Sequence, residues 1–336
     1  MRPRGSVASA FLGAAALVVL TGCAGDDGGP DVPTREPATA AVSPATATSP
    51  AGRVLPAPAT KALLAERSTG RVVALDTAGT TLTLIDPAAA TTARTVTLPA
   101  AGVSLAQGKE GEVLIAAPGR VLRVDVSTGA VTETPVDGDV RSVQTRSDGT
   151  LVVGTADGTV RVLAADGTVT RTVTGLVSAD AIALTGDDIT VLDRRQTAVV
   201  SVRDDALGLM LRAGDGAANL VTDPHGRIIV SDTDGGELLV YSAGPLVLRQ
   251  RFPVPSSPYA LAYDPRSDTV WVTRTQTNEV VGYDLSTGIG VEVGRFPTLR
   301  QPDAVTVDER TGDLYVASAA GDGLQRIGAD ERKRGQ

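Results

Sequence analysis

Asp180, Asn219 and Asp303 are the side chains best suited to metal chemistry. Two carboxylates and an amide oxygen are hard donors, and Ca²⁺ takes about 6–8 such oxygens. Together they could polarise an ester or lactone carbonyl. Tyr259 and Arg274 would add an aromatic contact and a cation for a bound ligand. Other chemistries are excluded by count. His225 is the single histidine, so a zinc site with two or more histidines and any two-histidine mechanism are ruled out. Cys23 is the single cysteine, so there is no internal disulfide. No glycine-rich phosphate loop follows a strand and opens a helix, which leaves nucleotide binding unsupported.

These residues take their positions from a repeat. Short apolar runs begin near Val72, Val113, Leu151, Ile189, Ile228, Val270 and Leu314. A second set begins near Leu82, Val121, Val160, Val199, Leu238, Val280 and Leu324, at spacings of 39, 39, 39, 39, 42 and 44 residues. In Val121-Leu-Arg-Val-Asp-Val the apolar side chains of Leu122, Val124 and Val126 alternate with Arg123 and Asp125, the period of a strand. Ile228-Ile-Val and Leu151-Val-Val are apolar on both faces, as strands sandwiched between neighbouring sheets require. Turn dipeptides such as Asp148-Gly149 and Asp157-Gly158 fall between them. A period near 40 with strand-like runs predicts an all-β fold, a seven-bladed β-propeller of four-stranded blades over residues 61–330. The last repeat has only three strand-like runs. A strand around Arg53-Val-Leu-Pro is expected to supply the fourth, because an open edge is a liability.

The stretch from Trp271 to Asp284 resembles the YVTN repeat of YncE-like propellers. Leu220 to Asp232 resembles an NHL-type blade. The resemblance implies that loops leading into each first strand, and those joining second to third strands, gather at one end of a central channel that usually holds the site. Asp180, Asn219, Tyr259, Arg274 and Asp303 fall in those loops, together with Arg194, Asp232, Asp234 and Asn278. Asp180 and Asp303, three repeats apart, would face each other. His225 lies in a first-to-second-strand turn, at the opposite end, which disfavours lyase-type propellers with a histidine base. A quinone-cofactor dehydrogenase would need many tryptophans, and Trp271 is alone. The reading favoured is a binding or scaffold module without a catalytic residue, cofactor or metal. The alternative is a metal-dependent, gluconolactonase-like lactonase with Ca²⁺ on Asp180, Asn219 and Asp303.

The N-terminus has a separate logic. Arg2 and Arg4 precede an uncharged run, Val7 to Leu20, too short to span a bilayer and suited to a signal peptide. It ends in Leu20-Thr-Gly-Cys23, which resembles a bacterial lipobox. That implies a lipoprotein signal peptide at 1–22 and acylation (diacylglycerol, palmitate) of Cys23. The protein is then expected on the extracytoplasmic face of the cell membrane, held by its lipid. Residues 23–60, with Pro37, Pro44, Pro50, Pro56 and Pro58, are expected to form a disordered Pro/Ala/Thr-rich tether. The chain of 336 residues has a net charge of −8, which argues against sequence-independent nucleic-acid binding. The partners expected are an envelope protein or a small ligand, with the ring as a monomer.

Overall fold

The computed structural model describes residues 33–89 and 91–332. The expected signal peptide and Cys23 lie outside them. From Thr34 onward the chain is one compact unit, built almost wholly of antiparallel strands. It is a β-propeller. Strands such as Val72–Asp76, Leu151–Thr155 and Leu314–Ser318 are buried along their length because a blade's middle strands are covered on both faces.

Among the described residues, hydrogen bonding groups the strands into six sheets, five of four strands and one of six. This corrects the expected count of seven. The difference arises at Glu112–Asp125 and Val131–Thr145, continuous strands of 14 and 15 residues. The first pairs with Ser104–Gln107 through residues 113–116 and with the second through residues 118–124. The second then pairs with Leu151–Thr155 through residues 140–145. Two repeats therefore share one ladder. The strands change partner at Pro118-Gly119 and near Gly138, where the two glycines turn the chain at φ values of 75° and 97° and pairing resumes on either side.

Among the described residues, the buried apolar side chains form seven clusters, each lying between neighbouring repeats. Leu75, Leu82, Ile115 and Leu122 meet in one. Leu55, Ala65, Tyr315 and Leu324 meet in another, which joins the end of the chain to its beginning and closes the ring. Each fully buried side chain of this size contributes about 1.5–3 kcal/mol.

The closing strand is the one expected from the sequence. Arg53–Leu55 pairs antiparallel with Leu324–Ile327, in the register Arg53↔Arg326, Val54↔Gln325 and Leu55↔Leu324. Gly52 feeds the chain into this strand with a φ of 67°, and a Cβ there would lie 2.1 Å from the Arg326 carbonyl oxygen. Only glycine fits both demands.

The expected tether departs from the structure over its described part. Residues 34–52 are irregular, but they are laid across one end of the ring. Arg35 N donates to Arg195 O, and Ala51 N donates to Pro297 O. Ala38 and Ser43 are buried. The composition offers little apolar surface, so docking relies on backbone hydrogen bonds that hydropathy cannot reveal.

Candidate functional site

The end of the ring crossed by residues 34–52 is the end to which the sequence assigns the site. Each assigned side chain is already engaged there. Asp180 Oδ2 accepts from Arg194 N at 2.9 Å and lies 2.5 Å from Ser178 Oγ. Asn219 Nδ2 donates to Tyr259 O at 3.1 Å. Arg274 is buried; its guanidinium donates to Pro255 O at 2.8 Å and Ser256 Oγ at 3.0 Å, and pairs with Glu279 at 3.3 Å. It therefore fixes the loop at residues 255–257 instead of presenting a free cation. Tyr259 stands beside Arg194, and burial raises its phenol above the usual range.

Asp303 Oδ1 accepts from Gln301 Nε2 at 2.9 Å. Burial pushes its carboxyl up to about 6, against the opposing effect of that hydrogen bond. A carboxyl raised on folding binds more protons folded than unfolded between its two pKa values, so stability falls as pH rises through that window. Asp303→Asn keeps an acceptor for Gln301 and removes the charge. It is expected to melt above the parent at pH 7.5 and together with it near pH 4. A lower melt at pH 7.5 would contradict the burial argument.

Among the described residues, no group of three or more His, Cys, Asp or Glu side chains converges as a cation site. Asp232, which the sequence places at this mouth, is a structural carboxylate. It is fully buried and accepts from Asp215 N, Gly216 N and Gly235 N at 2.9, 2.7 and 3.0 Å. Asp193 does the same one repeat earlier, accepting from Val177 N and Gln196 N.

What the sequence reading missed is a set of polar loop residues: Ser257, Thr275 and Gln301. With Arg194 and Asn278 they bind residues 38–44. Gln301 Oε1 accepts from Ser43 N at 2.9 Å, and its Nε2 donates to Ala41 O at 3.1 Å. Ser43 Oγ donates to Thr275 O at 2.6 Å. Ser257, Asn278 and Gln301 hold φ values of 57°, 52° and 53°, in the left-handed region. Non-glycine residues rarely rest there, and such strain concentrates at ligand clamps.

A cavity of about 1060 Å³ occupies the channel from the other end. Leu105, Leu220, Leu261, Gln107, Gln144 and Thr306 line it, as do Arg67 and Glu309, which pair at 3.0 Å. None of Asp180, Asn219, Tyr259, Arg274 and Asp303 lines it. His225 is at this end as expected, exposed in its turn, with Nε2 3.6 Å from Asp268 Oδ2.

No family model matches the sequence, and no curated protein matches it. The fold is shared with solved structures at low identity. A streptogramin B lyase is 13% identical, with a TM-score of 0.66, covering 83% of this chain and 96% of its own. A catalytically inactive virginiamycin B lyase from Staphylococcus aureus with quinupristin is 14% identical, with a TM-score of 0.67, covering 82% and 98%. A chain from the mitotic checkpoint complex is 13% identical, with a TM-score of 0.72, covering 88% and 96%. These similarities establish the fold: the chain is a β-propeller.

Proposed function

We propose that this protein is a cell-envelope lipoprotein whose propeller binds or scaffolds another protein, without catalysing a reaction. One observation carries the reading. The polar side chains of the loop-rich mouth are spent on holding a peptide segment and on fixing their own loops. A reaction centre needs groups free to meet a reacting atom. A rigid ring that presents loops suits recognition. Lipidation of Cys23 rests on the Leu-Thr-Gly-Cys motif and the uncharged run before it. Attachment through lipid at the extracytoplasmic face follows from that motif.

The test is photo-crosslinking in intact cells. A photoreactive side chain is placed at exposed Asp234, at the mouth, or at exposed Asp187, at the opposite end. The same envelope protein is expected to be captured from Asp234 and not from Asp187, and to be recovered with membranes. Capture from neither position, or equally from both, would overturn the reading.

A further inference from the structure

We infer that the mouth is a groove that reads an extended, uncharged peptide with a Ser-Pro step, and that residues 37–44 are its resident occupant. The inference deepens the binding-module reading and rests on it. The groove treats its occupant as a ligand. The Gln301 amide stands in for a neighbouring peptide group. It accepts from Ser43 N and donates to Ala41 O, the pairing a β-strand would give the chain around Val42. Val42 itself is 89% exposed, so that position is not read.

Ser43 is read closely. Its hydroxyl donates to Thr275 O at 2.6 Å and accepts from Gln301 N at 3.0 Å, and the residue is 7% exposed. Alanine there would leave the buried Thr275 carbonyl without its donor, a cost of about 1–3 kcal/mol, and leave Gln301 N with only the longer bond to Asn278 Oδ1 at 3.3 Å. On either side, Ala41 N donates to Ser257 Oγ at 3.1 Å and Pro44 O accepts from Asn278 Nδ2 at 3.0 Å. Ala38 is 6% exposed, and its carbonyl accepts from the Arg194 guanidinium. Pro37 and Pro44 hold the segment extended.

The chemistry defines the partner class. Residues 37–50 carry no charged side chain, and little apolar area is available. Binding therefore rests on backbone pairing plus one hydroxyl. Tethering in cis raises the effective concentration to about the millimolar range, enough to fill a weak site. A partner segment of the same pattern must compete with the resident one.

The experiment uses the full chain and a labelled peptide of residues 37–48. The variant Ala38→Glu with Ser43→Glu alters only the strap and should vacate the groove. Peptide binding, read by fluorescence anisotropy, is expected for this variant and should be weaker by about tenfold or more for the parent chain. Adding Gln301→Ala to the vacated chain, or using a peptide with Ser43→Ala, should weaken binding by a similar factor. A vacated chain that keeps its melt and circular dichroism but takes no peptide overturns the inference, as does equal binding of the Ser43→Ala peptide. If the double variant does not fold, a protease site is placed at exposed residues 46–48 of the parent chain and cut in the folded state. The cut strap should stay bound and be displaced by excess peptide; immediate loss without rebinding overturns the inference. Neither failure would change the crosslinking contrast between Asp234 and Asp187, so loss of this inference and loss of the binding-module reading give different results.

Discussion

Replacing residues 51–55 with a glycine-serine run of equal length is expected to lower the Tm by roughly 10–20 °C. The segment supplies the outer strand of the last sheet, in register with Leu324, Gln325 and Arg326. Its loss removes Leu55, 3% exposed, from the cluster it forms with Tyr315 and Leu324. Removing such a core leucine costs about 2–5 kcal/mol. Each lost ladder hydrogen bond adds about 1 kcal/mol. Gln325, fully buried, donates from Nε2 to the backbone carbonyl of residue 51 at 2.8 Å, a bond that the looser run holds less firmly. At about 2–4 °C per kcal/mol for a domain near this size, a net loss of about 5 kcal/mol gives the stated range. A glycine-serine run can still trace the path, so the effect reports side chains and pairing and not chain length. An unchanged melt would mean that the ring does not depend on this strand.

The second large effect concerns Asp232. Asp232→Ala is expected to cost about 3–6 kcal/mol, because three backbone amides, one buried and two partly buried, lose their charged acceptor at once. The loops are wrapped closely around the carboxylate. A Cβ on Gly214, whose φ is 78°, would lie 2.0 Å from Asp232 Oδ2. Water therefore has little room to replace the lost oxygen atoms. Asp232→Asn keeps one acceptor oxygen and turns an NH₂ toward the amides, and an intermediate loss is expected. Urea unfolding gives the measurement. A loss within 1 kcal/mol for the alanine variant would contradict the structural role and return Asp232 to the list of candidate ligand contacts.

The two effects show what the sequence makes visible. The alternation in residues 121–126 and the doubly apolar runs at 151–153 and 228–230 are direct consequences of burial on one face or both. They locate the strands and the repeat. The need of the last sheet for a fourth strand is legible too, since three apolar runs leave an edge and Arg53-Val-Leu is the nearest candidate. The sheet count is less visible. A Pro-Gly turn at 118–119 looks like a break between strands, yet the backbone stays paired on both sides of it. Hydrogen-bond continuity depends on dihedral detail that residue type does not specify.

The end of the ring on which these residues lie was legible; the partners that engage them were not. Counting along the repeat places Asp180, Asn219, Tyr259, Arg274 and Asp303 in loops at one end. Their partners are set by loop geometry: Arg194 N and Ser178 for Asp180, Gln301 for Asp303, Pro255 O for Arg274. Nothing in composition distinguishes a carboxylate open to a ligand from one that caps a loop. Residues 34–52 were hidden for a related reason. Proline, alanine and threonine in sequence signal poor burial. Their docking uses peptide groups, which every sequence carries, and the amide of one glutamine in a left-handed loop.

Hydrogen exchange on the full chain, read by mass spectrometry with fragments short enough to resolve residues 34–60, tests the central claim most directly. The claim is that the segment before the ring is part of it, first as the occupant of the mouth and then as the closing strand. Slow exchange is expected at Ala41, Ser43 and Ala51, whose amides donate to Ser257, Gln301 and Pro297. Protection should extend through Arg53–Leu55, while the exposed residues 45–49 exchange quickly. Fast exchange across the whole of 34–55 would contradict the claim.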